Sequence, residues 1–590
     1  VVGSFQNIWL LQLILYAFRG ILFLIDAMAN RFRTEISNII KKIFPSWEIP
    51  AYNIKVIRER NSGRICFKLD EVPLNIKSIE VENGLSSDFC KAKLTPEKNS
   101  LSCEVVVDKK WIVRHLLEEL EDKLFQDSRL FSVIEKQRVV IDYSSPNIAK
   151  PFHVGHLRSS IIGNFLKKLL ETVGHQTVGL NYLGDWGTQF GILKHGLDQK
   201  WIPFDDIQSS PIRKLFEIYV KANIQAKEDP VFMEKSLEKF RFLENGDENT
   251  VKDWSIIKDY TVAELQRIYA RLNIKFDVYD WESMYGRKRI QSIVDLLTSK
   301  GLLTPSPEGK LIYKFKERPI TLVKSDGTTL YLTRDIAAAL DRRERFQADC
   351  FLYVVDNAQS DHFQALFSIM KDVKMEGATH MKHVKFGRIQ GMSTRKGNVV
   401  FLDDVLDEAK ERMAQQRKRS VTTRTTLNED YVNDVLGISA VLVNDLKQRR
   451  QKDYVFNWEK ILASQGDTGV KLQYTHSRLC SLEKKSGVAS IPPSSEINVS
   501  CLIEEEAINL VRHLLRFEEI ILRCHDELEP CILVAYLFQL CNFVSVALRA
   551  LQVKSQPANV AEARLLLFIC AKNVLAEGMR ILGLTPLEEM

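Results

Sequence analysis

Apolar and polar positions change their spacing three times along the chain. Between residues 51 and 110, short strand-like runs (Ile65-Cys-Phe-Lys-Leu, Glu104-Val-Val-Val) alternate with turn clusters such as Asn61-Ser-Gly and Glu97-Lys-Asn-Ser, the pattern of a small α+β unit. A charged helix over 111–125 follows, with Leu116, Leu117, Leu120 and Leu124 at helical spacing. From Arg138 the pattern turns to strands alternating with helices: a strand at 139–141, a helix from about 155 to 173, a strand at 176–180 and a helix from about 188. Such alternation predicts a parallel sheet with crossover helices. A charged, aromatic, largely helical stretch at 202–320 reads as one insertion, after which strands are expected at 327–335 and 350–356. Beyond Asn428 apolar repeats at 431–446, 501–523, 531–552 and 560–582 predict helices, with the Pro- and Ser-rich segment 486–500 as a loop.

The expected architecture is multidomain α/β plus α. Residues 28–128 form a small α+β N-terminal domain, 129–455 a doubly wound parallel-sheet (Rossmann-like) domain with the helical insertion at 202–320, and 456–590 a C-terminal helical bundle. Residues 1–27 are expected to be a leader or non-native extension. Within them the run 8–25 is nearly long enough to span a bilayer, which takes about 20 apolar residues, but Arg19 interrupts it. Met28 opens a basic segment with Arg31, Arg33, Lys41 and Lys42 against Glu35, which reads either as an organelle presequence or as a first surface helix.

Composition narrows this little. At 590 residues, several domains are required, because single cores stop growing at roughly 250–300 residues. A hydrophobic share of 45% with 27% charged residues excludes disordered and fibrous classes. The net charge of +6 permits a polyanionic partner without demanding one. Ten scattered cysteines without a Cys-x-x-Cys pair predict reduced core thiols, with no metal site and no disulfide framework.

The chemistry concentrates at His153-Val-Gly-His156, a few residues past the apolar run 139–141. A strand ending near Ser144 and a helix starting near Gly155 put free backbone N–H groups and the positive helix end at the sheet's carboxyl edge, where phosphates bind. His153 and His156, three residues apart, fall on one face of that helix start and can donate to one phosphate. Such donors act where charge develops in the transition state, and Gly155 is expected to let a nucleotide approach the backbone.

The run SSPNIAKPFHVGHLRSSIIGN, followed by Asn181-Tyr-Leu-Gly-Asp-Trp-Gly-Thr-Gln-Phe-Gly191 and Gly391-Met-Ser-Thr-Arg-Lys-Gly-Asn398, resembles class I aminoacyl-tRNA synthetases, and among them the arginyl-tRNA synthetase family, over roughly 135–590. In that family the first signature, His-Ile-Gly-His, matches 153–156. The second, Lys-Met-Ser-Lys-Ser, matches 391–395 loosely, and Met392 and Ser393 within it are expected at the ATP. Gly391 and Thr394 stand where that signature has lysines. Charge that accumulates on departing pyrophosphate still requires a cation, for which Arg395, Lys396 and Lys150 are the candidates.

A site selecting arginine needs a carboxylate for the planar guanidinium fork. Asp335 fits, with Tyr331 four residues earlier, and Asp335 is equally read as the N-cap of Ile336-Ala-Ala-Ala-Leu. The resemblance implies an arginine pocket of Asp142, Ser145, Pro146, Asn147, His156, Tyr331, Asp335 and Gln359, with Asp142 and Asn147 near the α-amino and carboxylate groups. It also implies that residues 28–128 touch tRNA and that the helices from Gln473-Tyr-Thr-His-Ser-Arg onward bind the anticodon. Tyr474 and Tyr536 are expected in the core, and the basic runs 417–419 and 447–452 on solvated faces.

The function so implied is that of an arginine–tRNA ligase, with L-arginine, Mg²⁺–ATP and arginine tRNA as reactants and no tightly bound cofactor. A monomer without a membrane partner is expected, in the mitochondrial matrix, with the cytoplasm as alternative. Two rivals are a small-molecule nucleotidyltransferase with the same first signature and a synthetase-derived RNA-binding protein that has lost catalysis.

Overall fold

The computed structural model describes the backbone of four strands between Ile54 and Val107, single positions at 110, 113, 114, 116, 117 and 131, and residues 134–590 apart from 149–151, 317, 392–400, 420–424, 426 and 464–465. The expected leader 1–27, the basic segment after Met28, and the candidate residues Lys150, Met392, Ser393, Arg395 and Lys396 lie outside the described residues.

The two N-terminal runs become strands. β1 (Ile54–Arg58), β2 (Ile65–Val72), β3 (Cys90–Pro96) and β4 (Leu101–Val107) form an antiparallel sheet in the order β1-β2-β4-β3. Val113, Leu116, Leu117 and Phe131 are buried in the core of the main domain.

The main sheet follows the expected alternation. β5 (Arg138–Asp142) leads through α1 (Val154–Val173) to β6 (Gln176–Leu183), and α2 (Thr188–Asp198) follows. Successive side chains of β5 enter opposite cores, Val139 and Ile141 on one face and Val140 on the other, as two-sided burial of a parallel strand requires. Next come α3 (Pro211–Glu228), α4 (Pro230–Glu244) and α5 (Glu248–Arg271).

The stretch expected to be one insertion is then interrupted. β7 (Val278–Trp281) pairs in parallel with β6 and forms an edge of the main sheet. After α6 (Arg287–Ser299), the strands β8 (Leu303–Pro305), β9 (Leu311–Phe315) and β10 (Arg318–Val323) make a separate three-stranded antiparallel sheet.

The strand expected at 327–335 is corrected as well. Leu330 is an N-cap and α7 (Tyr331–Phe346) starts at Tyr331, so Asp335 lies in the second turn and caps nothing. Leu332, Ile336 and Ala339 bury one helical face, and that spacing prevails over the short alternation at its start.

β11 (Cys350–Asp356), α8 (Ser360–Asp372) and β12 (Met381–Phe386) complete the sheet in the all-parallel order β12-β11-β5-β6-β7. The order reverses between β5 and β11, which opens a crevice beyond their carboxyl ends. A two-residue strand, β13 (Ile389–Gln390), leads towards the second signature, and α9 (Leu402–Arg419) and α10 (Glu429–Leu446) follow it. β13 pairs with β14 (Tyr454–Val455).

The C-terminal bundle comprises α11 (Gly469–Lys485), α12 (Glu505–Leu514), α13 (Phe517–Glu527), α14 (Pro530–Ala550) and α15 (Ala558–Ile581). α14 is apolar and long enough to cross a membrane by composition, yet Leu533, Leu537, Leu540 and Val544 are packed inside the bundle. Gln473 and His476 of α11 hold the chain's end. Gln473 Nε2 donates to the Thr585 carbonyl (2.8 Å), its Oε1 accepts from the Leu587 amide (2.9 Å), and His476 Nδ1 lies 2.8 Å from the Leu587 carbonyl. Tyr536 is core, its hydroxyl donating to the His513 carbonyl. Tyr474 is not: it is 45% exposed, on the same face of α11 as the exposed Arg478 one turn later, while Leu472, Gln473, Thr475 and His476 are buried.

The bundle shares one hydrophobic core with the α1 side of the sheet. A polar contact crosses the same junction. The Gln137 amide donates to His175 Nδ1 (3.1 Å), so the remaining proton of that ring sits on Nε2, 3.1 Å from His525 Nε2, while His525 Nδ1 faces Asp526 at 3.0 Å. Burial first, then His525 and Lys136, push the His175 pKa down to about 4 from 6.5. A base whose folded pKa is depressed stabilises the fold fully above its unfolded value and loses that contribution as pH falls towards the folded one. The thermal midpoint is therefore expected to drop between pH 6.5 and about 4, and His175→Asn to flatten that drop; a wild-type slope in the variant would remove His175 from the account.

Candidate functional site

At the crevice, β5 is followed, after Tyr143, by a pair of non-glycine residues in the left-handed region, Ser144 (φ 69°) and Ser145 (φ 44°). Each such residue costs of order 1–3 kcal/mol and persists only where surrounding bonds over-determine it. Here they do. The Ser144 amide donates to Ser159 Oγ (2.8 Å), its hydroxyl meets Tyr269 (2.7 Å), and the Ser145 amide donates to Asn181 Oδ1 (3.0 Å). The Ser145 hydroxyl donates to Asp142 Oδ1 (2.7 Å) and accepts from the Tyr182 amide (3.1 Å). The next residues pair with β6's continuation, the Gly184 amide donating to the Pro146 carbonyl and the Ile148 amide to the Gly184 carbonyl, so that Asn147 and Gly184 form a parallel bridge.

The signature opens α1. His153 is the N-cap, in extended conformation, and its Nδ1 accepts from the Gly155 amide at 2.9 Å. His156 Nδ1 accepts from the His153 amide at 3.3 Å, closing a capping box made of two imidazoles. A neutral ring that accepts at Nδ1 carries its proton on Nε2. Both rings therefore present Nε2–H groups at the positive end of a 20-residue helix, stacked 4.2 Å apart. Phe152 stacks on the far side of His156. Gly155 has a second reason to be glycine: a Cβ there would stand 2.6 Å from His153 Cε1.

Two residues after His156 in the same helix, buried Arg158 ties the first signature to the approach of the second. Its Nη1 donates to the carbonyls of Gly387 (2.7 Å) and Lys452 (2.9 Å), and its Nε pairs with Asp445 (3.1 Å), which also accepts from the Tyr454 hydroxyl (2.8 Å). Gly391, in the left-handed region at φ 71°, follows directly on β13.

Across the crevice, Tyr331 is the first residue of α7 and is 59% exposed; Asp335 stands one turn later on the same face. Asp335 Oδ2 is 2.7 Å from His362 Nε2 on α8, whose N-cap is Gln359. Asp142 is buried, with Oδ2 paired to the buried Arg342 at 2.8 Å; burial pushes its pKa up against the pull of Arg342. Both Asp142 oxygens thus already hold protein partners.

Neither Glu282 nor His362 was singled out by the sequence. Glu282 begins a 3-10 turn, Glu282–Met284, directly after β7, and burial first, then Asp335, push its carboxyl up to about 8 against the pull of Arg334, with Asp185 adding to the rise. Asp335 likewise acts on Asp142, Tyr182 and Tyr353. Four acidic positions from four elements thereby act on one another: Asp142 at the end of β5, Asp185 after β6, Glu282 after β7 and Asp335 on α7. Arg342 pairs with Asp142 and Lys258 with Asp185, which leaves Asp335 and Glu282 as the acids placed to draw a further cation, and the helix start of α1 attracts phosphate.

Residues 119–458 match the family model described as tRNA synthetases class I (R), catalytic domain, and residues 472–590 match the DALR anticodon binding domain. The chain belongs to the arginyl-tRNA synthetases of class I. A probable mitochondrial arginine–tRNA ligase from Bos taurus is 39% identical over 525 residues, covering 88% of this chain and 90% of that protein. A cytoplasmic arginine–tRNA ligase from Saccharomyces cerevisiae is 41% identical over 471 residues, covering 78% and 77%. The crystal structure of arginyl-tRNA synthetase from Plasmodium falciparum superposes with a TM-score of 0.75 at 25% identity, covering 96% of this chain and 99% of that one. As members of this family do, the arginyl-tRNA synthetase described here ligates arginine to tRNA at the expense of ATP, on a Rossmann-like sheet with a helical C-terminal domain.

Proposed function

We propose a division of the ligase reaction between the two sides of the crevice. Asp335 and Glu282 take the guanidinium of arginine, with Tyr331 and Gln359 closing the pocket. Asp142 and Asn147 stand towards the α-amino and carboxylate groups, with Ser145, Pro146 and His156 beside them. The observation that carries this reading is the Asp335 carboxylate, held by His362 at 2.7 Å and within the field of a second, raised carboxyl at Glu282. A guanidinium entering between them displaces the Glu282 proton and leaves a bidentate, charge-assisted pair.

ATP arrives as its Mg²⁺ complex, the metal held by phosphates and water. The arginine carboxylate oxygen attacks the α-phosphorus, the bond to the β-phosphate bridging oxygen breaks, and pyrophosphate leaves with that electron pair. The Nε2–H groups of His153 and His156 donate to phosphoryl oxygens on which charge grows in the transition state. Lys150, Arg395 and Lys396 are the cations proposed for the leaving pyrophosphate, beside Met392 and Ser393 at the nucleotide. The terminal ribose hydroxyl of tRNA then attacks the arginyl carbonyl and releases AMP.

The enzyme is proposed to act as a monomer in the mitochondrial matrix, with the cytoplasm as alternative; the basic segment after Met28 supports the first, and imaging the chain with and without residues 28–45 distinguishes them. Arginine-dependent ATP–pyrophosphate exchange, run with and without arginine tRNA, tests the reaction. Exchange that depends on arginine and on no other amino acid is expected, and exchange without amino acid preference, or none even with cognate tRNA, refutes it.

A further inference from the structure

Asp185 sits in Gly184-Asp-Trp-Gly187, between β6 and α2, and is fully buried. Both its oxygens are taken up by one short turn and one lysine. Oδ1 accepts from the Ser283 amide (2.9 Å), and Oδ2 accepts from the Ser283 hydroxyl (2.6 Å) and from Lys258 Nζ (2.5 Å). Lys258, on α5, also donates to Ser283 Oγ (2.7 Å) and lies over the Trp281 ring at 4.5 Å. Ser283 is the residue after Glu282.

The turn that carries Glu282 is three residues long at the edge of the sheet; the Tyr285 amide closes it on the Glu282 carbonyl (3.2 Å) and the Trp281 amide reaches Met284 Sδ (3.4 Å), while Asp185 is the charged group that holds its middle residue. The same four-residue segment touches the rest of the pocket at both ends. Gly184 bridges to Asn147, and Gly187, in the left-handed region at φ 121°, lies beside the Tyr331 hydroxyl, 3.9 Å from where a Cβ would be.

We propose that Asp185, through Ser283 and Lys258, is a positioning residue for arginine selection: it sets where the Glu282 carboxyl stands relative to Asp335. The inference rests on the reading of Glu282 and Asp335 as the guanidinium pair. A carboxylate pair distinguishes a guanidinium from a neutral group of the same shape only if both oxygens sit at fork spacing. A turn freed from Asp185 keeps the charge of Glu282 but loses that spacing. The clamp also links α5 to the pocket, so Lys258 acts on arginine without touching it.

The test uses the full-length enzyme with arginine tRNA and measures exchange with arginine and with citrulline, the neutral near-isostere. Ser283→Ala is expected to raise the arginine KM roughly ten- to hundred-fold, the range covered by a lost hydrogen bond to a charged group, and to shrink the preference for arginine over citrulline. The ATP KM stays unchanged. Lys258→Met, which keeps an apolar stem on Trp281, moves the same two quantities, and Ser283→Thr, which retains the hydroxyl, restores them. A merely structural role would lower the thermal midpoint without altering the arginine-to-citrulline ratio, and that result overturns the proposal. So does a wild-type arginine KM in both Ser283→Ala and Lys258→Met. Glu282→Gln run in parallel separates the two layers. If it impairs arginine use while Ser283→Ala does not, only the positioning role fails; if it too is silent, the guanidinium reading falls and the positioning role with it.

Discussion

Asp335→Ala is expected to lower kcat/KM for arginine by roughly 10²–10³-fold, because removing one partner of a buried, hydrogen-bonded charge pair costs about 2–5 kcal/mol, each 1.4 of which is tenfold. Most of that cost is the substrate guanidinium left inside the crevice without its acceptor. The fold should survive. Asp335 is partly exposed, in the second turn of α7, and the helix start is set at Leu330 and Tyr331 rather than by this side chain. The ATP KM is expected to stay near its wild-type value, since the phosphate donors belong to α1. A second readout comes from Glu282. Its carboxyl is held up to about 8 by burial first and by Asp335 next. In the wild-type enzyme arginine affinity should therefore rise as pH increases through that value, because a cation binds the ionised form. In Asp335→Ala one of the charges raising that pKa is gone, and the rise should move to lower pH. Pyrophosphate exchange across pH 6–9 reads both effects; unchanged arginine kinetics in the variant would remove Asp335 from the pocket.

His153→Asn and His156→Asn are each expected to lower kcat for adenylate formation by about 10²–10³-fold, the typical loss when one transition-state donor is removed. Asparagine is chosen because it separates two roles of these rings. Its side-chain oxygen can accept where Nδ1 accepts now, from the Gly155 amide in one case and the His153 amide in the other, so α1 keeps its cap. What it cannot supply is the Nε2–H group reaching beyond the ring. Single-turnover formation of adenylate should fall while the thermal midpoint holds. Alanine at the same positions should lose both, the missing cap adding about 1 kcal/mol of destabilisation. A drop in midpoint without a drop in rate for the asparagine variants would reduce the histidines to a helix cap.

Arg158 shows how much of this site depends on a residue that touches no substrate. It is buried, bonded to two carbonyls flanking β13 and β14 and paired with Asp445. Its guanidinium also lies over the Tyr454 ring at 5.2 Å. In this way the helix bearing the first signature is registered against the strand that leads to the second.

Much of the architecture was legible because it is written in local periodicity. The apolar runs at 139–141, 176–180 and 350–355 became β5, β6 and β11, the apolar repeats after Asn428 became helices, and the His-Val-Gly-His signature stands at a helix N-terminus at the carboxyl edge of the sheet. Local signals misled where two patterns overlapped or where burial was slight. Alternation before Tyr331 resembled a strand although Leu332, Ile336 and Ala339 carry helical spacing. β7 is a four-residue edge strand with one fully buried position, Asp280; Val278, Tyr279 and Trp281 favour a strand, but the run is too short and too little buried to stand out within a helical stretch.

Sequence by itself determined the class of fold, the family, the two histidines and the need for a carboxylate against arginine. Only tertiary structure decided which acids stand together at the crevice. Glu282 and Asp335 are separated by a helix and a small antiparallel sheet, and Asp185 and Lys258 by most of a helical insertion; all four meet because the parallel sheet delivers the carboxyl ends of β5, β6 and β7 to one crevice. A raised carboxyl is a property of charge and burial acting through space over a few ångströms. Distance along the chain carries no trace of it.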